Sequence, residues 1–295
     1  MDKTLIPGDP PVYLLNPTKP ENLKNKFNQK VFGSPPATKA SNKTIMVDGA
    51  TGSGKTTLIN GMINYILGVE WEDNYRLKLI GEETNQTQAC SQTSEVTAYK
   101  IHHSDEFHSE VPYSLTIIDT PGFGDTRGIK QDKEITDRMR EFFSDRDGIN
   151  SIDAVCFVVQ SALARLTHTQ KYIFDAILSI FGKDIASNII ILVTFADGKS
   201  PPVLEAIKAA NIPTAKNPDE SILHFKFNNS VLFAKNTRTG SDENEFDRMF
   251  WKLGKASMNK FFSHLSTMNP QSLTLTKEVL EERKHLEATV EGCSQ

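Results

Sequence analysis

The sequence predicts an α/β fold with three layers, in which helices cover both faces of a mainly parallel sheet with one antiparallel edge strand. The first observation is a set of short apolar runs, separated by helix-prone stretches, which are typical of strands buried on both faces. These runs lie at residues 44–48, 115–119, 154–159, 189–193 and 222–227. Strands that alternate with helices form parallel sheets with right-handed crossovers, and this alternation predicts the fold class.

A second observation concerns residues 96–101, in which apolar and polar side chains alternate. The polar segment between this run and residues 115–119 is too short to contain a crossover helix, so the two strands are predicted to pair antiparallel. The third observation is a helix with signals at both ends. Thr167 and Gln170 have the spacing of a capping box, and Gly182 is a stop signal, so a helix is predicted between them.

Composition divides the chain into three parts. Half of the fourteen prolines lie in the first forty residues, so residues 1–42 are predicted to form an extended arm rather than a packed element. Residues 43–268 contain the strand and helix pattern and form the predicted central domain, which ends in an amphipathic helix at residues 245–265. Pro270 interrupts the chain, and residues 269–295 predict a charged helical tail.

Charge and cysteine content narrow the class of protein. The formal net charge is -4 and the pI is about 6.0, so nucleic acid is not an expected partner. The three cysteines, Cys90, Cys156 and Cys293, are odd in number and far apart, which fits a reducing compartment. The first residues lack the apolar stretch of a signal peptide, and no run reaches the ~18 apolar residues that cross a bilayer. We therefore expect a cytoplasmic protein without a transmembrane segment.

The strongest motif follows the first apolar run of the central domain. Residues 49–56 match G-x-x-x-x-G-K-[ST] between a predicted strand and a predicted helix, the context that a phosphate-binding P-loop requires. Backbone N–H groups of such a loop surround a phosphate at the helix N-terminus. Lys55 is predicted to contact the β- and γ-phosphates, and the Thr56 hydroxyl to bind Mg²⁺. The predicted nucleotide-binding residues of the loop are Gly49, Ala50, Thr51, Gly52, Ser53, Gly54, Lys55, Thr56 and Thr57.

A second motif, Asp-Thr-Pro-Gly, ends the strand at residues 115–119 and favours GTP over ATP. Asp119 is predicted to hold Mg²⁺ through water, and the Gly122 N–H to contact the γ-phosphate. An ordinary β-turn and an ATPase remain as alternatives.

A γ-phosphate switch also needs a hydroxyl on a loop before this strand. Thr93 is the predicted residue for that role and for a further Mg²⁺ contact, with a plain solvated loop as the alternative.

The base is predicted to lie beside the ends of the last two strands. The Asp197 carboxylate can accept hydrogen bonds from guanine N1 and N2, where adenine has no matching pair of donors. GTPases usually carry Asn-Lys-x-Asp at this place, whereas this chain has Thr194 and Phe195 in the first two positions. Asn228 and Asn229 follow the final strand and are predicted to contact the guanine O6 side. A turn or a helix cap is the alternative role for Asp197.

With these motifs in order, residues 43–264 resemble the septin, Toc and GIMAP branch of P-loop GTPases and are most similar to the GIMAP pattern. Three segments carry the resemblance: residues 119–128, Arg165-Leu-Thr167 before a helix, and Phe227-Asn-Asn229. The resemblance implies the three-layer P-loop GTPase fold and slow, Mg²⁺-dependent hydrolysis of GTP to GDP.

The resemblance also implies a homodimer through the nucleotide face. Ras-like enzymes orient the attacking water with a glutamine directly after the Asp-x-x-Gly glycine, where this chain has Phe123. Arg165 matches the arginine that related families bring to the partner's phosphates, so it is a predicted catalytic residue with Lys55, Thr93 and Gly122. Two alternatives stay open. Arg165 can instead cap its helix or lie in solvent at the start of it. The protein can instead be a GTP-binding scaffold or a septin-like filament protein with incidental turnover.

Overall fold

The computed structural model describes residues 1–18, 28–36, 41–81, 95–103, 109–124, 129–145, 148–236 and 242–293, and the architecture is that of these residues. The strands are β1 (Lys3–Ile6), β2 (Val12–Leu15), β3 (Asn28–Phe32), β4 (Asn42–Gly49), β5 (Arg76–Lys78), β6 (Thr97–Ile101), β7 (Ser114–Asp119), β8 (Ser151–Ile152), β9 (Ala154–Gln160), β10 (Ile189–Thr194), β11 (His224–Lys226) and β12 (Gln271–Ser272). The helices are α1 (Lys55–Ile66), α2 (Ile129–Ser144), α3 (His168–Phe181), α4 (Val203–Ala209), α5 (Asp242–Thr267) and α6 (Thr274–Cys293), with short 3-10 helices at Lys183–Asn188 and Asn229–Val231.

The central sheet has seven strands in the order β11-β10-β9-β4-β7-β6-β3. From β11 to β7 every neighbouring pair is parallel. β7, β9 and β10 are buried almost throughout, as continuous apolar strands covered on both faces must be. The mainly parallel α/β fold predicted from the sequence is therefore confirmed. Because parallel strands end at the same edge, the carboxyl ends of β4, β7, β9 and β10 lie together there.

The antiparallel pair is also present, since β6 runs antiparallel to β7 with Tyr99 opposite Ile117. The prediction that this strand forms the edge of the sheet was wrong. β3 pairs with β6 in parallel and takes the edge position, with Phe32 buried in the core. An uncovered β6 would leave a row of unpaired N–H and C=O groups, and β3 satisfies them.

The described residues of the N-terminal segment form three paired strands, and this corrects the prediction of an extended arm over residues 1–42. β1 and β2 form an antiparallel hairpin, and β2 continues into a small sheet with β5. Leu15 joins the hydrophobic core. The prolines lie mainly between these strands, where they interrupt the backbone pattern without preventing strand pairing on either side.

Two apolar layers lie on the two faces of the sheet. One contains the inward side of α1 together with Phe261 and Leu265 of α5, and the other contains α2 and α3. The capping box of α3 is confirmed: Thr167 Oγ1 accepts from the Gln170 N–H at 3.2 Å, and Gln170 Oε1 accepts from the Thr167 N–H at 2.8 Å. The arrangement fixes α1 and α3 on opposite faces, each beginning at the carboxyl edge of the sheet.

The C-terminal helix α6 packs against α2 and α3. Leu273 and Leu280 are buried in the same layer as these helices, and β12 pairs with β8. The charged C-terminal segment is thus attached to the domain through the apolar side of α6. Among the described residues, no helix is long and apolar enough to span a bilayer.

Candidate functional site

The predicted P-loop connects β4 to α1 at the carboxyl edge of the sheet. β4 ends at Gly49 and α1 begins at Lys55. Gly54 precedes the helix with φ 84, a left-handed conformation that a residue with a side chain rarely adopts. The first N–H groups of α1 have no partner within the helix, so the loop can bind an anion there.

Lys55 lies against the end of β7. Its Nζ donates to Asp119 Oδ1 at 2.6 Å and also to the Thr120 carbonyl oxygen. Both charged side chains are buried. Tertiary structure therefore brings together the predicted phosphate-binding cation and the predicted Mg²⁺-binding carboxylate, although 64 residues separate them in sequence.

The Asp-Thr-Pro-Gly segment rests directly on the P-loop. The Thr51 N–H donates to the Phe123 carbonyl oxygen at 2.7 Å. A Cβ atom at Gly122 would lie 2.8 Å from Thr51 Oγ1, so the close approach of the two segments requires glycine there. The Phe123 side chain is fully buried and faces the ring of Tyr172. Phe123 therefore packs the core and offers no group to orient water.

The carboxyl ends of β10 and β9 hold the P-loop through two hydrogen bonds. Thr194 Oγ1 donates to the Ser53 carbonyl oxygen at 2.6 Å, and Gln160 Nε2 donates to the Gly52 carbonyl oxygen at 2.9 Å. These residues end β10 and β9. Ser53 Oγ is buried and has no hydrogen-bond partner within the described part of the chain. The contacts fix the loop carbonyls away from the phosphate side, so its N–H groups stay directed toward a ligand.

Asp48 is a buried acid that motif matching overlooked, since it stands one residue before the P-loop. Its Oδ1 accepts from the Gly49 N–H at 2.7 Å and from Thr120 Oγ1 at 3.0 Å. Its other oxygen has no partner within the described ranges. Burial raises the pKa of Asp48 to about 7. The sequence did contain a signal for this burial. The apolar run that ends at Asp48 predicts a strand covered on both faces, so an acid at its end should be buried too.

The residues predicted to read the base lie on two adjoining loops. The Ala196 N–H donates to the Phe227 carbonyl oxygen at 3.0 Å and joins the loops. Asp197 is exposed, and its Oδ1 accepts from the Lys199 N–H at 2.8 Å. Asn228 Oδ1 accepts from Ser230 Oγ at 2.7 Å.

Asn229 differs from the other two base-side residues because its side chain lies against α1. Asn229 Oδ1 is 3.3 Å from the position that a Cβ atom would take at Gly61. Of these three predicted base-side residues, Asp197 is exposed, whereas Asn228 and Asn229 are half-buried.

The oxygen donors predicted for Mg²⁺ fit that ion. Thr56 is the second residue of α1, next to Lys55, and Asp119 ends β7. A hydroxyl and a carboxylate are suitable ligands for Mg²⁺, which completes its octahedron with phosphate oxygens and water. Thr93, the third predicted contact, lies outside the described residues.

Arg165 lies on the exposed segment between β9 and α3. Thr167 and Gln170 already cap α3, so the helix does not need Arg165 for its first turn. The exposed position leaves the guanidinium accessible to a partner molecule.

Comparison with known proteins supports the septin part of the resemblance. Residues 39–146 match the septin family model. Septin-4 of Homo sapiens is 37% identical over 113 residues, which cover 36% of this chain and 21% of septin-4. Septin-5 of Homo sapiens is 34% identical over 112 residues, which cover 36% of this chain and 27% of septin-5. The matched segment contains both the P-loop and the Asp-Thr-Pro-Gly motif.

Solved structures of two GTP-related proteins are also similar to the chain. Toc33 from Arabidopsis thaliana in complex with GDP and Mg²⁺ has a TM-score of 0.44 and 15% identity, covering 74% of this chain and 86% of that one. Translation elongation factor SelB from Methanococcus maripaludis, with a GTP analogue, has a TM-score of 0.35 and 15% identity, covering 72% and 34%. Both scores correspond to loose superpositions.

The sheet order, the loop and its contact with the Asp-Thr-Pro-Gly segment define a P-loop domain of the GTPase class. Within that class the chain is similar to septins over residues 39–146. The narrower likeness to GIMAP proteins stays a prediction.

Proposed function

We propose that this chain binds GTP with Mg²⁺ at the P-loop, hydrolyses it slowly to GDP and phosphate, and acts as a nucleotide-dependent switch. The observation that carries the proposal is the pairing of Lys55 with Asp119 at 2.6 Å. A P-loop lysine and the aspartate of Asp-x-x-Gly have to meet at one place to act on the same phosphates.

Each residue then has a separate task. Lys55 exchanges Asp119 for the β- and γ-phosphate oxygens. Thr56 and Asp119 hold Mg²⁺, which neutralises charge on those phosphates when bound. The Gly122 N–H contacts the γ-phosphate, and the Thr93 hydroxyl, which lies outside the described residues, is the second predicted contact. Loss of the γ-phosphate releases both contacts, which is the order-to-disorder change that a switch uses.

Hydrolysis is expected to depend on a second copy of the chain. Phe123 occupies the position at which other GTPases place a water-orienting glutamine, and its ring is buried. The exposed Arg165 supplies the missing charge to the partner in a two-fold dimer through the nucleotide face. Such a residue can accelerate hydrolysis by ~10³- to 10⁵-fold. The proposal places the protein in the cytoplasm, with GTP, GDP and a second copy as partners.

A fluorescent-nucleotide titration tests the binding site. Lys55→Ala should abolish tight GTP and GDP binding, because it removes the cation that the loop offers to phosphate. Lys43→Ala is a matched control, since Lys43 pairs with Asp153 at 2.9 Å near the opposite end of β4. It should keep wild-type affinity. Equal affinity of wild type and Lys55→Ala would overturn the assignment of the P-loop.

A further inference from the structure

A cavity lies between α5, α1 and the 3-10 helix at Asn229–Val231. Its volume, which includes the open mouth, is about 430 Å³, within the range of small-molecule sites. The walls are mainly apolar and include Tyr65 and Met258. In the described part of the chain, neither the P-loop nor Asp197 lines it. Tyr65 lies about 15 Å further along α1 than Lys55, so the cavity extends away from the phosphate-binding loop.

Gly254 keeps space open beneath α5. It lines the cavity and lies in the interior of α5, where glycine destabilises a helix relative to alanine. Its backbone does not require glycine, since its φ is not positive. Beyond the backbone of the helix itself, a Cβ atom at Gly254 would meet nothing within 4 Å. Protein interiors are normally filled, so this unfilled space is a feature that a ligand explains.

Trp251, which also lines the cavity, has an unused hydrogen-bond donor. Its Nε1 is buried and has no hydrogen-bond partner within the described ranges. Native structures usually provide a partner for a buried polar group, because leaving it unpaired is unfavourable. A ligand that carries an acceptor atom would satisfy this N–H.

The Trp251 ring is held in place by a buried cation. The Arg76 guanidinium lies 4.5 Å from the centroid of the ring, and Arg76 donates to the carbonyl oxygens of Leu232 and Trp71 at 3.1 Å. The Trp71 ring also packs against Trp251, with the ring centroids 5.8 Å apart. This wall of the cavity is therefore preorganised, as a binding site requires.

The charges beside the cavity do not favour an ionic ligand. Lys255 lines the cavity, but its Nζ pairs with Glu70 and lies 3.8 Å from Glu110 Oε1. The ammonium is thus already neutralised and is not free for an anion. A cationic ligand would not suit the unpaired Trp251 donor.

We propose that this cavity binds a small, uncharged aromatic molecule that carries one hydrogen-bond acceptor. Its ring packs against Tyr65 and Trp251 and fills the space beneath Gly254, and its acceptor receives the Trp251 Nε1–H. Burial of apolar area and aromatic contacts supply the affinity. The inference is independent of the proposed function, since it uses neither the P-loop nor Mg²⁺.

Quinoline and naphthalene are matched probes, because they share one shape and only quinoline carries an acceptor. Saturation-transfer NMR titrations measure the affinity of both for wild type and for Trp251→Phe. The substitution should weaken quinoline relative to naphthalene by about 2- to 13-fold, since only quinoline loses a hydrogen bond. No saturable binding of quinoline to wild type would overturn the proposal, and an equal loss of both probes in Trp251→Phe would overturn the assigned acceptor.

Substitutions of Gly254 test whether the probes occupy this cavity. Gly254→Leu fills the space and should abolish binding of both probes. Gly254→Ala should weaken both probes and raise the melting temperature, and it replaces Gly254→Leu if that variant does not fold. Ala256→Leu on the exposed side of α5 is the matched control and should bind both probes as wild type does. Wild-type probe binding in the Gly254 variants, or displacement of quinoline by GDP with Mg²⁺, would place the probes at another site and overturn the proposal.

Discussion

Lys55 and Asp119 form a buried ion pair in which the ammonium and carboxylate are 2.6 Å apart. The pair links the beginning of α1 to the end of β7, the two segments that carry the phosphate-binding motifs. Each group compensates the buried charge of the other. If phosphate and Mg²⁺ bind here as proposed, nucleotide binding and domain stability are coupled through these two residues.

Removing one partner of this pair should destabilise the nucleotide-free domain. Lys55→Ala leaves the Asp119 carboxylate buried without its cation, which costs ~3–5 kcal/mol of unfolding free energy. Adding Asp119→Asn removes that charge and should recover part of the loss. Urea unfolding of wild type, both single variants and the double variant measures the coupling. Strictly additive effects would show that the two side chains do not interact.

Asp197→Asn should change the preferred base from guanine toward xanthine. An amide donates where the carboxylate only accepts, so guanine N–H groups lose their acceptor. An unpaired polar group costs ~1 to 3 kcal/mol, which corresponds to about 5- to 150-fold in affinity. Competition titrations with GTP and XTP measure the ratio, and Asp219→Asn in another exposed turn is the control. Unaffected GTP binding in Asp197→Asn would place the base-reading residue elsewhere.

Specific GTPase activity should rise with protein concentration, because each subunit of the proposed dimer supplies Arg165 to the other. Arg165→Ala should lower the rate steeply while GDP affinity of the monomer stays at the wild-type value. Arg138→Ala on α2 is a control for a simple change of net charge. Turnover that is independent of concentration and insensitive to Arg165→Ala would rule out the dimer mechanism.

Asp48 should make the domain less stable as pH rises. Burial raises its pKa from 3.8 to about 7, so between these values the folded protein keeps a proton that the unfolded chain has released. The unfolding free energy therefore falls across this window and levels off above about pH 7, by at most ~4 kcal/mol. Asp48→Asn cannot ionise, and its Oδ1 can still accept from the Gly49 N–H.

Urea unfolding of wild type and of Asp48→Asn at pH 5 and at pH 8 tests this prediction. Because other titrating groups are common to both proteins, the difference between wild type and Asp48→Asn isolates Asp48. The free energy of unfolding of Asp48→Asn minus that of wild type should be larger at pH 8 than at pH 5. A difference that does not change with pH would mean that Asp48 is already ionised in the folded state throughout this range.

The sequence by itself determined the parallel strands, the capped helix α3 and the P-loop, because each depends on residues close together in the chain. Apolar runs, the Thr167–Gln170 spacing and the glycines around Lys55 are local patterns with local physical causes. Tertiary structure alone decided the rest. β3 is the edge strand because it pairs with backbone groups that β6 would otherwise leave unpaired. The pKa of Asp48 is raised because the sheet that buries it is covered on both faces. The cavity beneath α5 and the contact of Lys55 with Asp119 likewise depend on elements that meet only after the chain has folded.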